Sequence, residues 1–303
     1  MQVLPKGLPP NLVLMNPFFL DPQHGWITAN DCTGARAVLF RTASGGRKWV
    51  RIPIPPSSCN AGAESVPTFV DARHGWLVRV EPTGASASIS RTTDGGKEWS
   101  GEQDFPWITG VRFVRPRYGW LAGLLDETTG LFRTTTGGRT WTHVMAPLPS
   151  CCQKWWALFD APTFFDDSDA VAAVTLRRGD RSVVAFDATS DAGRTWHVVA
   201  MLPPGRGGAN GFPSPAAVST PTRTDWWVPT DSGHLRRTED AGETWHPVAI
   251  PTGARAISID AVDPRHAWIH VLDRGQSSLL ATRDGGRTWR VLDPVARPNH
   301  RIQ

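Results

Sequence analysis

No stretch of this 303-residue chain approaches the ~18 consecutive apolar residues of a membrane helix, which excludes a helical span. Its charge is nearly balanced at +4, and the basic residues are scattered. Short runs such as Arg177-Arg178 and Arg236-Arg237 read as solvated edges, so a nucleic-acid partner is not expected. The four cysteines lack the Cys-x2-4-Cys spacing with histidine partners that zinc requires. A phosphate loop is also missing, because Gly45-Gly46-Arg47-Lys48 belongs to a different motif. The first ten residues have neither the charged start nor the continuous apolar core of an export signal. Either the protein is cytoplasmic or such a signal lies outside this chain. There is a single tyrosine, Tyr118, against fifteen tryptophans.

Six of those tryptophans each close a copy of one repeat. Its last copy is Thr282-Arg283-Asp284-Gly285-Gly286-Arg287-Thr288-Trp289. Five variants precede it, running Thr42 to Trp49, Thr92 to Trp99, Thr134 to Trp141, Thr189 to Trp196 and Thr238 to Trp245. Trp49, Trp99, Trp141, Trp196, Trp245 and Trp289 are separated by 50, 42, 55, 49 and 44 residues, the interval of one propeller blade. The residue types suit a long hairpin turn. Glycine at the fifth position can adopt positive φ, the aspartates Asp94, Asp191, Asp240 and Asp284 can accept backbone N–H groups of their own loop, and the tryptophan opens the outgoing strand. Each ring, buried against a neighbouring blade, would contribute roughly 2 to 3 kcal/mol. Removing Asp284 is expected to strand buried donors. Ser44 and Thr136 replace the aspartate in two copies, which argues against calcium ligation.

A companion segment precedes most copies. Phe19-Leu20-Asp21-Pro22-Gln23-His24-Gly25-Trp26 recurs as Phe69 to Trp76, as Phe113 to Trp120 and as Ala261 to Trp268. The segments Phe164 to Val171 and Thr220 to Trp227 depart from the pattern. His24, His74 and His266 occupy equivalent turns and read as turn hydrogen-bonders, not metal ligands. The aspartates 166, 167 and 169 fall in the same kind of turn and read as a solvated loop, not a catalytic pair.

The Ser/Thr-x-Asp-x-Gly-x-Thr-Trp pattern resembles the Asp-box, or BNR, repeat. With its companion it is most similar to propellers of the photosystem II stability and assembly factor type, and more distantly to sialidase and sortilin-type propellers. The resemblance covers nearly the whole chain. It implies an all-β fold, a β-propeller of four-stranded antiparallel blades, six in number with seven the alternative. Residues 1–303 would form one domain, with blades at about 11–53, 64–103, 107–146, 156–201, 212–250 and 255–293. Up-and-down connection places the companion turns and the boxes on one face. The crossovers between blades then lie on the other, where propellers usually bind. Tryptophan-rich propellers of this resemblance are commonly exported, which favours an extracytoplasmic or secreted protein.

The resemblance implies a non-catalytic binding or assembly scaffold, a monomer without a cofactor or metal, engaging a protein, peptide or glycan. The alternative is a glycoside hydrolase, a sialidase-like exo-glycosidase. Sialidases of the family need a tyrosine nucleophile, and Tyr118 stands in the turn position of His24, on the wrong face. Arg51-Ile52-Pro53 imitates their Arg-Ile-Pro signature but follows a box where theirs precedes it. Trp107, Lys154, Trp155 and Arg206, on the crossovers, are the candidate partner-binding residues, since aromatics beside cations make efficient contacts. Trp156, next to Trp155, is expected to open a strand and face the core. Cys32 and Cys59 fall in adjacent loops and suit a disulfide in an exported protein. For Cys151 and Cys152 a vicinal disulfide, two free thiols or one bridge elsewhere are all open.

Overall fold

A computed structural model describes residues 12–21, 23–31, 37–44, 48–54, 64–80, 86–202, 218–230, 233–251, 254–273 and 276–292. The described residues are almost entirely β-strand and turn, in two compact units that divide after His143. None of their helices is long and apolar enough to cross a membrane.

The first unit holds three sheets. The strands β1 (Leu12–Phe19), β2 (Gly25–Asp31), β3 (Ala37–Thr42) and β4 (Val50–Ile52) pair antiparallel in chain order. The same meander is made by β5 (Glu64–Phe69), β6 (Gly75–Val80), β7 (Ala87–Thr92) and β8 (Ser100–Phe105). It is made again by β9 (Trp107–Arg115), β10 (Tyr118–Leu125), β11 (Thr128–Thr134) and β12 (Thr142–Val144). Each box joins the third strand of a sheet to the fourth. The crossover expected to carry Trp107 is not a loop. Strand β8 continues to Phe105, which is buried in the core, and only Pro106 separates it from β9.

Within each unit the core lies between successive sheets, and the companion segments contribute to it. Trp76 on β6 stacks on Phe113 of β9 with centroids 3.4 Å apart and planes 2° from parallel. Trp26 stacks likewise on Phe69, at 3.6 Å and 8°. The register explains the glycine of the motif. Phe69 lies opposite Gly75 and Phe113 opposite Gly119, and a Cβ at either glycine would overlap the phenylalanine ring. Where the last copy has Ala261 in place of phenylalanine, its partner is Ala267, fully buried.

The second unit opens with a departure from four strands. Its first sheet has five: β13 (Trp156–Phe159) and β14 (Thr163–Phe164) both pair with β15 (Ala170–Arg178), followed by β16 (Arg181–Thr189) and β17 (His197–Leu202). The expected first strand is thus broken, and Pro162, with no N–H to donate, stands in the break. Next come β18 (Trp226–Pro229), β19 (Leu235–Thr238) and β20 (His246–Val248), three strands among the described residues, while residues 212–217, where the expected first strand would begin, lie outside them. Ser219 extends this sheet by a single bridge, exchanging two backbone hydrogen bonds with Trp227. The last sheet, β21 (Arg255–Ala261), β22 (Ala267–Asp273), β23 (Gln276–Thr282) and β24 (Arg290–Leu292), is a regular meander. Trp226 and Trp227 alternate as strand neighbours do. Trp226 packs with Phe186 of the preceding sheet, and Trp227 with Ile259 and Ile269 of the following one.

Candidate functional site

The boxes are held by two side chains, and the second was not anticipated. In the last copy the Thr282 hydroxyl donates to Asp284 Oδ1 at 2.8 Å and accepts the amide of Gly286 at 2.9 Å. Asp284 in turn accepts the exposed Thr288 amide at 2.9 Å and its hydroxyl at 2.6 Å. The buried donor is therefore served by threonine. The aspartate orients that hydroxyl and gathers exposed groups, so the expectation that Asp284 satisfies buried donors is corrected. Asp94, Asp191 and Asp240 repeat the arrangement. Ser44 and Thr136 supply a hydroxyl instead, taking the amides of Lys48 and Thr140 at 3.0 Å. The signal was present in the sequence, because the first box residue is threonine in all six copies, each one buried.

These hydrogen bonds favour the ionised carboxylates. Those from Thr288, then Thr282, hold the Asp284 carboxyl down at about 2. Those from Thr238, then Thr244, hold Asp240 at about 2. Among the described residues the fifth-position glycines take positive φ as expected, from 74° at Gly193 to 90° at Gly96. The fourth position is left-handed as well, and Ala192 and Ala241 adopt it at 61° and 57°.

Other motif residues tie one repeat to the next. The fourth-position amide bonds to a carbonyl of the companion turn in its own sheet, as Gly95 does to Arg73 and Gly285 to Arg265. Asp71 Oδ1 accepts the amides of Arg73 and His74 while Oδ2 meets His74 Nδ1 at 2.8 Å. The pairs Asp21–His24 and Asp263–His266 match it, so these histidines are turn hydrogen-bonders. Trp76 Nε1 donates to Gly137 O of the following box at 3.0 Å. Arg237 lies 4.4 Å over the Trp227 ring, pairs with buried Asp225, and donates to Pro264 O and Gly285 O of the next repeat. The box tryptophans differ in depth. Trp49 and Trp196 are buried, whereas Trp99, Trp141, Trp245 and Trp289 are half-buried. Trp99 and Trp289 hydrogen-bond to Pro53 O and Ala249 O of the preceding repeats, each at 2.9 Å.

Carboxylates 166 and 169 close their own turn. Asp166 accepts the Ser168 and Asp169 amides at 2.7 Å, and Arg223 bridges Asp166 and Asp169. A cavity of about 320 Å³ lies beside the last box, lined by Arg237, Glu239, His246, Val248 and Arg287 among others. Arg237 spends its donors within the protein.

What the repeat does not consume is the segment ahead of β13. Ser150–Cys152 forms one 3-10 turn, in which the Cys152 amide donates to Pro149 O at 2.9 Å and the Trp155 amide to Cys152 O at 3.0 Å. Cys151 and Cys152 are joined in a disulfide. Lys154 is exposed and Trp155 half-buried. Trp156 is 52% exposed, which corrects its assignment to the core. Its place at the start of the sheet's first strand, opposite Arg177, leaves the ring at the surface. Trp107 is half-buried at the start of β9 in the first unit, opposite Leu124, and not in a loop. Arg206, Cys32 and Cys59 lie outside the described residues.

No family model and no curated relative matches the chain. Among solved structures, YCF48 bound to D1 peptide is 19% identical, with 94% of this chain and 82% of that one covered at a TM-score of 0.58. YCF48 from Cyanidioschyzon merolae is 20% identical, with 95% and 86% covered at 0.59. The alpha-L-arabinofuranosidase arb93a from Fusarium graminearum is 12% identical, with 90% and 92% covered at 0.52. At these identities the likeness is one of fold: an all-β chain of antiparallel sheets whose neighbours are β-propellers.

Proposed function

We propose that the chain is an Asp-box propeller with one blade per repeat, six in all, acting as a non-catalytic scaffold that holds a protein, peptide or glycan on its crossover loops. The observation that carries this reading is Trp156, a large ring half out of the protein, preceded in the chain by exposed Lys154 and half-buried Trp155. Exposing such a ring forgoes about 2 kcal/mol of burial, a cost that partner contact recovers. The fold likeness to YCF48 bound to D1 peptide makes an extended peptide the first ligand class to try.

The test is capture of ligands from peptide and glycan arrays by the wild-type protein and by Trp156→Ala. The variant is expected to keep its unfolding midpoint and to lose at least tenfold in affinity, since a central aromatic contact is worth about 1.4 kcal/mol or more. Equal capture by both proteins would remove Trp156 from the site. Turnover of any fluorogenic glycoside on the array would replace the scaffold with an enzyme.

A further inference from the structure

The Cys151–Cys152 bond has no obvious structural duty. A crosslink stabilises a fold by removing conformations from the unfolded chain, and the effect grows with the loop it closes. Between adjacent residues that loop is a single peptide unit. The bond therefore does little to hold the second unit together. What it constrains is local: the backbone of the 3-10 turn whose last carbonyl receives the Trp155 amide, one residue before exposed Trp156.

Access to the two sulfurs is unequal. Cys151 is exposed, while Cys152 is 2% exposed. Thiol–disulfide exchange needs a thiolate to reach one sulfur, and Cys151 is the residue of the two that is open to solvent in the folded protein.

We propose that Cys151–Cys152 is a redox-exchangeable site that sets the order of the Trp155–Trp156 segment, with a dithiol as its reductant. The functional consequence rests on the scaffold reading of that segment. In the exchange, a thiolate of the dithiol attacks Cys151 Sγ, the Cys151–Cys152 bond breaks, and Cys152 leaves as a thiolate that takes a proton. The second thiol of the dithiol gives up its proton and attacks its own partner sulfur in the mixed disulfide. Cys151 leaves and is protonated in turn. Two electrons pass to the protein and the dithiol ends as a disulfide. Freed of the ring, the Cys151–Cys152 peptide unit regains its ordinary backbone range, and the hydrogen bond from Trp155 to Cys152 loses its fixed acceptor. Exchange with a disulfide in the opposite direction restores the ordered form.

The experiment uses the whole oxidised protein, incubated with a dithiothreitol series, alkylated with N-ethylmaleimide and mapped by peptide mass. Parallel samples are followed by amide hydrogen exchange and thermal unfolding. Expected is alkylation of both Cys151 and Cys152 at dithiol concentrations that leave the thermal midpoint in place. Exchange at residues 152–156 should rise at least severalfold. Cys151→Ser should show the reduced-state exchange without any dithiol, and Cys152→Ser serves if that variant does not fold. Alkylation that appears only as the protein unfolds would overturn the proposal. So would identical exchange in the oxidised, reduced and serine forms. The readout requires no partner, so failure of ligand capture by Trp155 and Trp156 would count against the scaffold reading alone.

Discussion

Asp187 is the residue whose environment most opposes its chemistry. It lies on β16, fully buried, with Ala172 opposite it on β15 and Val198 on β17, and neither carboxylate oxygen has a hydrogen-bond partner. Burial alone pushes its carboxyl from the ordinary value of 3.8 up to about 7. The unfolded chain therefore ionises this group at a lower pH than the folded protein does. Below pH 3.8 both states are protonated and Asp187 adds no pH-dependent cost. As pH rises towards 7 the folded state holds a proton that the unfolded state has released, and stability falls. At 1.36 kcal/mol per pH unit the cost at pH 8 is about 4 kcal/mol, of which about 2 kcal/mol accumulates above pH 5.5. Asp187→Asn removes the ionisation and keeps the volume. Urea unfolding of both proteins at pH 5.5 and pH 8 should show the variant more stable, with its advantage larger by about 2 kcal/mol at the higher pH. A difference independent of pH would mean that the carboxylate is paired or hydrated in the folded state, because such a group would not carry this dependence.

Two further perturbations test the repeat itself. Gly75→Ala should destabilise by about 1 to 3 kcal/mol through overlap with Phe69, and Phe69→Ala in the same chain should cost less than it does alone, since alanine faces alanine at Ala261 and Ala267. Additive losses in chemical unfolding would show that the two positions do not share space. In the last box, Thr282→Val should cost about 1 to 3 kcal/mol by leaving the buried Gly286 amide unsatisfied. Asp284→Ala should cost less than Thr282→Val at neutral pH, and the gap should widen as pH falls from 3.8 through about 2, because the wild-type carboxylate is neutralised there while the Gly286 amide stays unsatisfied in the threonine variant. A larger loss from the aspartate variant would reverse the roles assigned to the two residues.

The period of the boxes was enough to predict antiparallel sheets joined by these turns, because a tight turn needs special residues at fixed offsets and tryptophan marks where the strand resumes. The partners of those residues were harder to read. Threonine at the first position is common in strands for reasons of shape, so its recurrence did not by itself announce a hydroxyl serving a buried amide. The phenylalanine and glycine of the companion lie six residues apart in sequence and opposite each other only once the register is known. Trp156 was misplaced because a tryptophan at a strand start usually packs inward. What keeps it outside is its position on the first strand of its sheet, at the end away from the break. Trp107 lies on a strand and not on a crossover because β8 does not stop at Gly101: the strand passes through it with a φ of 65° and runs to Phe105.

The same comparison between repeats indicates where function should be sought. In the regular copies nearly every polar motif residue is occupied: aspartate by its own turn, histidine by that turn's carboxylate, and Arg41 and Arg237 by carbonyls of the next repeat. Residues so occupied cannot be given to a partner without weakening the fold. The fourth repeat breaks the pattern at several points. Val171 stands where the other five have tryptophan, Ala188 where four have arginine and the last has Ala281, and Asp187 is buried without a partner. Its first strand is divided, and it is entered through the disulfide-closed turn that ends at Trp156. Substituting a Val–Ala pair for a Trp–Arg pair gives up a stacked, hydrogen-bonded clasp, and an array of this kind could keep that clasp at no cost to its period. That one repeat carries all of these departures, and also the most exposed tryptophan among those described, makes it the part of the chain least explained by stability and the place where partner contact should first be tested.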